Sequence, residues 1–124
     1  MTISEVSRKY NLTTDTLRYY ERIGVIPQVH RTGAGLRDYT EEDCSWVELV
    51  KCMRSAGLPI EAIAEYVKLT QEGEATIPAR RQLLVEQRAQ LQEQLTSITR
   101  AMERLDYKIS RYNEAIRTGI LTWE

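Results

Sequence analysis

The last third of the chain carries a stripe that few folds can absorb: apolar side chains recur at Leu84, Leu91, Leu95, Ile98, Met102, Leu105, Ile109, Tyr112 and Ile116. Placing Leu84, Leu91, Ile98, Leu105 and Tyr112 at heptad position d puts Arg88, Leu95, Met102, Ile109 and Ile116 at a. Nine of the ten seam positions are then apolar, the pattern of a coiled coil. No Gly or Pro interrupts residues 79–118, and a helix from Pro78 to Arg117 would be roughly 60 Å long at about 1.5 Å per residue. The N-terminal domain of about 70 residues is too small to cover such a stripe, and the chain offers no second helix of that length. A fold-back hairpin lacks the residue that would turn it. The spacing therefore predicts that the stripe pairs with the same helix of a second copy, giving a homodimer with two-fold symmetry.

Four shorter helical patterns precede it. Thr2-Ile3-Ser4-Glu5 reads as a capping box for a helix over about residues 3–9, with Ile3, Val6 and Tyr10 on one face. Asn11 suits a tight turn, and Thr13 can cap a second helix that ends at Gly24. Two helices joined by so short a turn outline a helix-turn-helix. Pro27 blocks continuation, and Gly33-Ala34-Gly35 between Val29-His30-Arg31 and Leu36-Arg37-Asp38-Tyr39 predicts a small β wing. Thr40 caps a third helix whose expected face is Trp46, Leu49, Val50 and Met53. Pro59 opens a fourth, with Ile60, Ile63, Ala64 and Val67 inward. The expected organisation is mainly all-α: a winged helix-turn-helix domain over 1–71, a polar linker over 72–77, and a dimerisation helix with its tail over 78–124.

Composition limits the chemistry. Seventeen basic and eighteen acidic residues give a net charge of -1, so no global basic excess announces a nucleic-acid binder. The basic excess is local: residues 1–40 carry six basic and four acidic side chains, against four and eight over residues 41–80. Two cysteines and one histidine cannot fill a four-ligand Cys/His zinc site. A lone His30 and the lack of clustered carboxylates argue against an enzyme, and no cofactor is expected. No stretch approaches the roughly 18 apolar residues of a membrane span, and the first residues lack a signal-peptide pattern. A cytoplasmic protein without membrane contact is the expectation.

A dimer holding two helix-turn-helix units apart can address two half-sites of duplex DNA. The second helix is expected to expose Thr14, Thr16, Arg18 and Tyr19 while Leu17 and Tyr20 turn to the core. Arg18 can reach a phosphate or pair bidentately with guanine, and Arg37 adds a contact from the wing. The competing reading of Arg18 is an idle surface ion pair with Asp15 or Glu21. The competing function is a coiled-coil adaptor whose N-terminal domain binds protein.

The run Leu17-Arg18-Tyr19-Tyr20-Glu21-Arg22-Ile23-Gly24-Val25-Ile26-Pro27, followed by Gly35-Leu36-Arg37-Asp38-Tyr39-Thr40, resembles the signature of MerR-type transcription regulators. The likeness continues through Gly57-Leu58-Pro59-Ile60 into the long helix. It implies an antiparallel dimerisation helix and a dimer that distorts promoter DNA with an overlong spacer so that RNA polymerase can use it. Carried over residue by residue, it puts Arg18 and Tyr19 on the DNA from the second helix, Arg37 and Tyr39 from the wing, and Thr14 and Thr16 alongside; Tyr20 is left open between DNA and core. Leu36 stands where the family often has an aromatic residue.

Metal-sensing relatives carry cysteines near the start of the long helix and after it, whereas this chain has none beyond Cys52. The few residues after Arg117 leave no room for an appended ligand domain, so a small or covalent inducer is expected, with a non-covalent one as the alternative. Cys44 and Cys52, eight residues apart on one helix, lie about 12 Å apart along its axis and cannot close a disulfide. On a helical wheel Cys44 lies opposite the expected buried face and Cys52 flanks it. Lys51 and Arg54 could favour a thiolate at Cys52; position and charge alone do not choose between the two. The stretch Cys52-Met53-Arg54-Ser55-Ala56-Gly57-Leu58-Pro59 is similar to the aldehyde- and electrophile-responsive branch of the family, which selects Cys52 as effector-sensing. Tyr107, Tyr112 and Trp123 are expected to serve structure, with Trp123 packing on the partner.

Overall fold

A computed structural model describes residues 1–123. Its elements are α1 (Ile3–Tyr10), α2 (Thr14–Ile23), α3 (Glu41–Ser55), α4 (Ile60–Gln71), a single 3₁₀ turn (Glu74–Thr76) and α5 (Ile77–Thr118). The caps fall where the sequence places them. Thr2 Oγ1 accepts from Glu5 N at 3.2 Å while Glu5 Oε1 accepts from Thr2 N at 3.1 Å. Thr13 caps α2, Thr40 and Asp43 form a second capping box at α3, and Gly24 ends α2 at φ 80°. Asn11 closes α1 at φ 53°, the left-handed conformation that asparagine tolerates.

The chain divides into two compact units, Met1–Gln87 and the remainder from Arg88. Val6 of α1, Leu17 and Tyr20 of α2, Val47 and Val50 of α3, and Ile63 and Val67 of α4 fill the core of the first unit, with Val25, Ile26, Val29, Tyr39 and Leu58 from the loops. Tyr20, open between DNA and core from its sequence, is thus a core residue. The segment expected to be a linker, 72–77, is a bonded corner. Thr76 Oγ1 donates to Leu69 O at 2.6 Å, and Arg80 Nη2 donates to Gly73 O at 2.9 Å.

Two expectations need correction. The inward side of α3 consists of Asp43, Cys44, Val47 and Val50, not Trp46, Leu49, Val50 and Met53. Trp46 is half-buried and meets Tyr66 at a tilt of 55°, with ring centroids 6.1 Å apart. Cys44 is consequently 6% exposed rather than opposite the core. The wing is a loop closed by one antiparallel bridge, Arg31 to Arg37, and no strand forms among the described residues. Thr32 N donates to Leu36 O at 2.8 Å and Asp38 N to His30 O at 2.7 Å; the chain then enters α3 at Thr40, too soon to extend the ladder.

Candidate nucleic-acid interface and cysteine sites

Along α2, Arg18 and Tyr19 are exposed, whereas Thr14 and Thr16 are half-buried. The Thr16 hydroxyl lies 2.8 Å from that of its capping neighbour Thr13. Arg18 Nη1 donates to Asp15 Oδ1 at 3.2 Å and to Thr14 Oγ1 at 3.4 Å. The ion pair anticipated from spacing is therefore present, but an exposed pair contributes only about 0–1 kcal/mol and yields readily to a phosphate or base edge. The Arg22 guanidinium covers the Tyr19 ring at 5.3 Å.

On the wing, Arg37 is 24% exposed and its Nε donates to Glu21 Oε1 at 2.8 Å. Tyr39 departs from its expected place at the DNA. It is 2% exposed, with Met1 paired to its backbone on both sides, and its buried hydroxyl has no partner among the described residues. Burial pushes its phenol up against the pull of Arg37. Tyr39 is a core residue here because the wing's return segment runs beneath Met1.

The root of the wing is tied to α3 by a network that spacing did not reveal. Asp43, 5% exposed, accepts at Oδ2 from Thr40 N (3.0 Å) and His30 N (3.3 Å), and the same oxygen lies 2.9 Å from His30 Nδ1. Burial alone would raise the Asp43 carboxyl; the hydrogen bonds from Thr40 and His30 outweigh it and hold the group low. Hydrogen bonding to Asp43, with its charge, raises His30 above its ordinary 6.5. The His30 contribution is thus complete below pH 6.5 and lost as pH rises through the elevated folded value. The Asp43 contribution is present above 3.8 and lost as pH falls through its depressed one. His30 is the sole histidine, so one NMR titration reads it. Its midpoint should exceed 6.5 and return toward 6.5 in Asp43→Asn; an unchanged midpoint in the variant would dissociate the shift from this contact.

Cys44 is buried and Cys52 exposed. The two cations beside Cys52 are held elsewhere. Lys51 Nζ donates to Tyr10 O, the last carbonyl of α1, at 2.5 Å, and Arg54 Nη1 donates to Leu58 O at 2.7 Å. Access, and not a freely placed cation, distinguishes the two thiols.

These features have counterparts. A family model described as "MerR HTH family regulatory protein" matches residues 1–70, and one described as "MerR, DNA binding" matches residues 45–107. The chain belongs to the MerR family. It is 52% identical over 93 residues to the HTH-type transcriptional regulator AdhR of Bacillus subtilis, a stretch covering 75% of this chain and 66% of AdhR, just under two thirds. The crystal structure of a MerR-family regulator from Listeria monocytogenes superposes with a TM-score of 0.93 at 42% identity, covering 96% of this chain and 90% of that one. HiNmlR, a MerR-family regulator lacking the sensor domain and solved bound to promoter DNA, matches with a TM-score of 0.83 at 29% identity, covering 95% and 94%. The chain is accordingly a DNA-binding transcription regulator of the MerR family, placed near the AdhR branch.

In this MerR-family chain the stripe on α5 is bare: Leu95, Ile98, Met102, Leu105, Ile109, Tyr112 and Ile116 are all exposed, Ile116 to 83%, and Leu84 is also exposed, while Leu91 is half-buried. Trp123 packs on α5 of its own chain. Its ring meets Tyr112 edge-on with centroids 5.6 Å apart, Lys108 Nζ sits 4.2 Å from its centre, and its carbonyl accepts from the Tyr107 hydroxyl. Among the described residues no helix is long and apolar enough to cross a membrane.

Proposed function

We propose that this regulator works as an antiparallel homodimer that binds double-stranded promoter DNA. The dimer bends an overlong spacer into a form RNA polymerase can use, and reactive aldehydes switch it by modifying Cys52. Residues 1–71 supply the reading domain, 72–77 the connection, and 78–124 the dimerisation helix and tail. The observation that carries the reading is that one chain holds both a helix-turn-helix with Arg18 and Tyr19 exposed and an α5 seam left uncovered.

Arg88 supports the antiparallel orientation. In parallel pairing a faces a, and Arg88 would meet its own copy inside the seam. About a two-fold axis level with residue 100, antiparallel pairing sets Arg88 against the partner's Tyr112, Leu84 against Ile116, Leu91 against Ile109, Leu95 against Leu105 and Ile98 against Met102. A guanidinium on an aromatic ring is an accepted neighbour, whereas a second guanidinium is not.

For the switch, the exposed Cys52 thiol loses its proton to solvent, and its sulfur adds to the aldehyde carbonyl carbon. An S–C bond forms, the C=O π pair moves to oxygen, and oxygen takes a proton from water, leaving a hemithioacetal. The added group alters the packing of α3 and hence the spacing of the two reading heads.

DNA binding is tested on a duplex that the wild-type protein selects from a random-sequence pool, with affinity read against salt. A phosphate-neutralising dimer loses affinity steeply as salt rises. Arg18→Ala should weaken binding at least tenfold, since a bidentate base contact is worth about 1–3 kcal/mol per copy, while sedimentation shows the dimer intact. Unchanged affinity would remove Arg18 from the interface; failure to select any duplex would remove the reading itself.

A further inference from the structure

Glu21 stands where electrostatics disfavours it. It occupies the last turn of α2, beside the negative end of the helix dipole, and its side chain is only 10% exposed. Both carboxylate oxygens are used. Oε2 accepts from Val29 N at 2.8 Å, and Oε1 accepts from Arg37 Nε at 2.8 Å with Arg31 Nη2 at 4.0 Å. One side chain of the reading helix thus holds the backbone at the root of the wing and the guanidinium of its return segment.

Arg37 is engaged through its Nε only; among the described residues its two Nη nitrogens have no hydrogen-bond partner. A guanidinium donates from two edges at once. With Nε spent inward on Glu21, the Nη edge is the one left to meet an acceptor, and holding it still removes part of the ordering cost of binding.

We infer that Glu21 is a positioning residue for DNA recognition: it fixes the Arg37 guanidinium and locks the wing to α2, so that both meet the duplex as one rigid surface. The inference rests on the proposed contact of Arg37 with a DNA phosphate. Glu21→Gln is informative because both oxygens now accept. An amide offers one acceptor and one donor, so its nitrogen must face either Val29 N–H or Arg37 Nε–H and that bond is lost.

The experiment measures affinity for the pool-selected duplex across a salt series for wild type, Arg37→Ala, Glu21→Gln and the double variant. Two Arg37 side chains per dimer predict that Arg37→Ala lowers the log–log salt slope by about 1.8, at about 0.9 per phosphate. Glu21→Gln should lower the slope and weaken binding on the order of tenfold, and should add nothing once Arg37 is gone. A weakened affinity with unchanged slope, or an effect that persists in full in the Arg37→Ala background, reduces Glu21 to fold maintenance and overturns the inference. A normal slope in Arg37→Ala instead rejects the Arg37 contact. Should Glu21→Gln fail to fold, Arg37→Lys decides. It keeps the charge but offers no second edge, so loss of slope in that variant supports the clamp and a wild-type slope refutes it.

Discussion

Ile98→Asp is expected to yield a monomer that no longer retains the selected duplex. Ile98 is 58% exposed on the single chain and lies beside the proposed two-fold axis, so each dimer would bury two aspartates close together. An uncompensated charge in a buried site costs about 3–5 kcal/mol. Two of them cost about 6–10 kcal/mol and weaken the dimer by about 10⁴–10⁷-fold at about 1.4 kcal/mol per decade. A monomer reads only one half-site and forfeits the roughly 10²–10⁴-fold gain from linking two. The first unit, with its own core, should remain folded. Sedimentation and far-ultraviolet circular dichroism check both halves of the statement. An Ile98→Asp protein that stays dimeric at micromolar concentration removes the α5 seam as the subunit contact.

Cys52→Ala should abolish the response to aldehyde while leaving DNA affinity near that of the wild type. The side chain is exposed, and a surface substitution away from caps and core is worth no more than about 0.5 kcal/mol. Without sulfur, no hemithioacetal forms. Cys44→Ala trims a buried side chain, should cost stability of about 1 kcal/mol, and should leave the response in place. Transcription from a reporter promoter, with native mass analysis of the adduct in the presence of excess aldehyde, separates the two. A full response in Cys52→Ala would eliminate the covalent switch at that sulfur.

Much of the secondary structure was legible because the chain marks its own boundaries. Thr2 with Glu5, Thr13, Thr40 with Asp43, and Gly24 are local devices whose chemistry depends on neighbours within four residues. The long helix was legible from its repeat and from the lack of breakers. Which way α3 faces was not. Two helical stripes compete on it and share Val50, and the one with the larger side chains was not the one turned to the core. Cys44 and Val47 are buried because of what packs against them, which no window of sequence contains. Tyr39 and Glu21 follow the same logic. Glu21 left a trace in being an acid at the wrong end of its helix, but its partners Val29 and Arg37 lie 8 and 16 residues away and meet it only after the wing closes.

The hydrogen bond from Lys51 to the final carbonyl of α1 joins the residue next to the exposed thiol to the first segment of the reader. Val6 of α1 shares the core with Val47 and Val50 of α3, so a displacement of α3 of the kind proposed for Cys52 would bear on the first helix of the reader directly, without first travelling down α5.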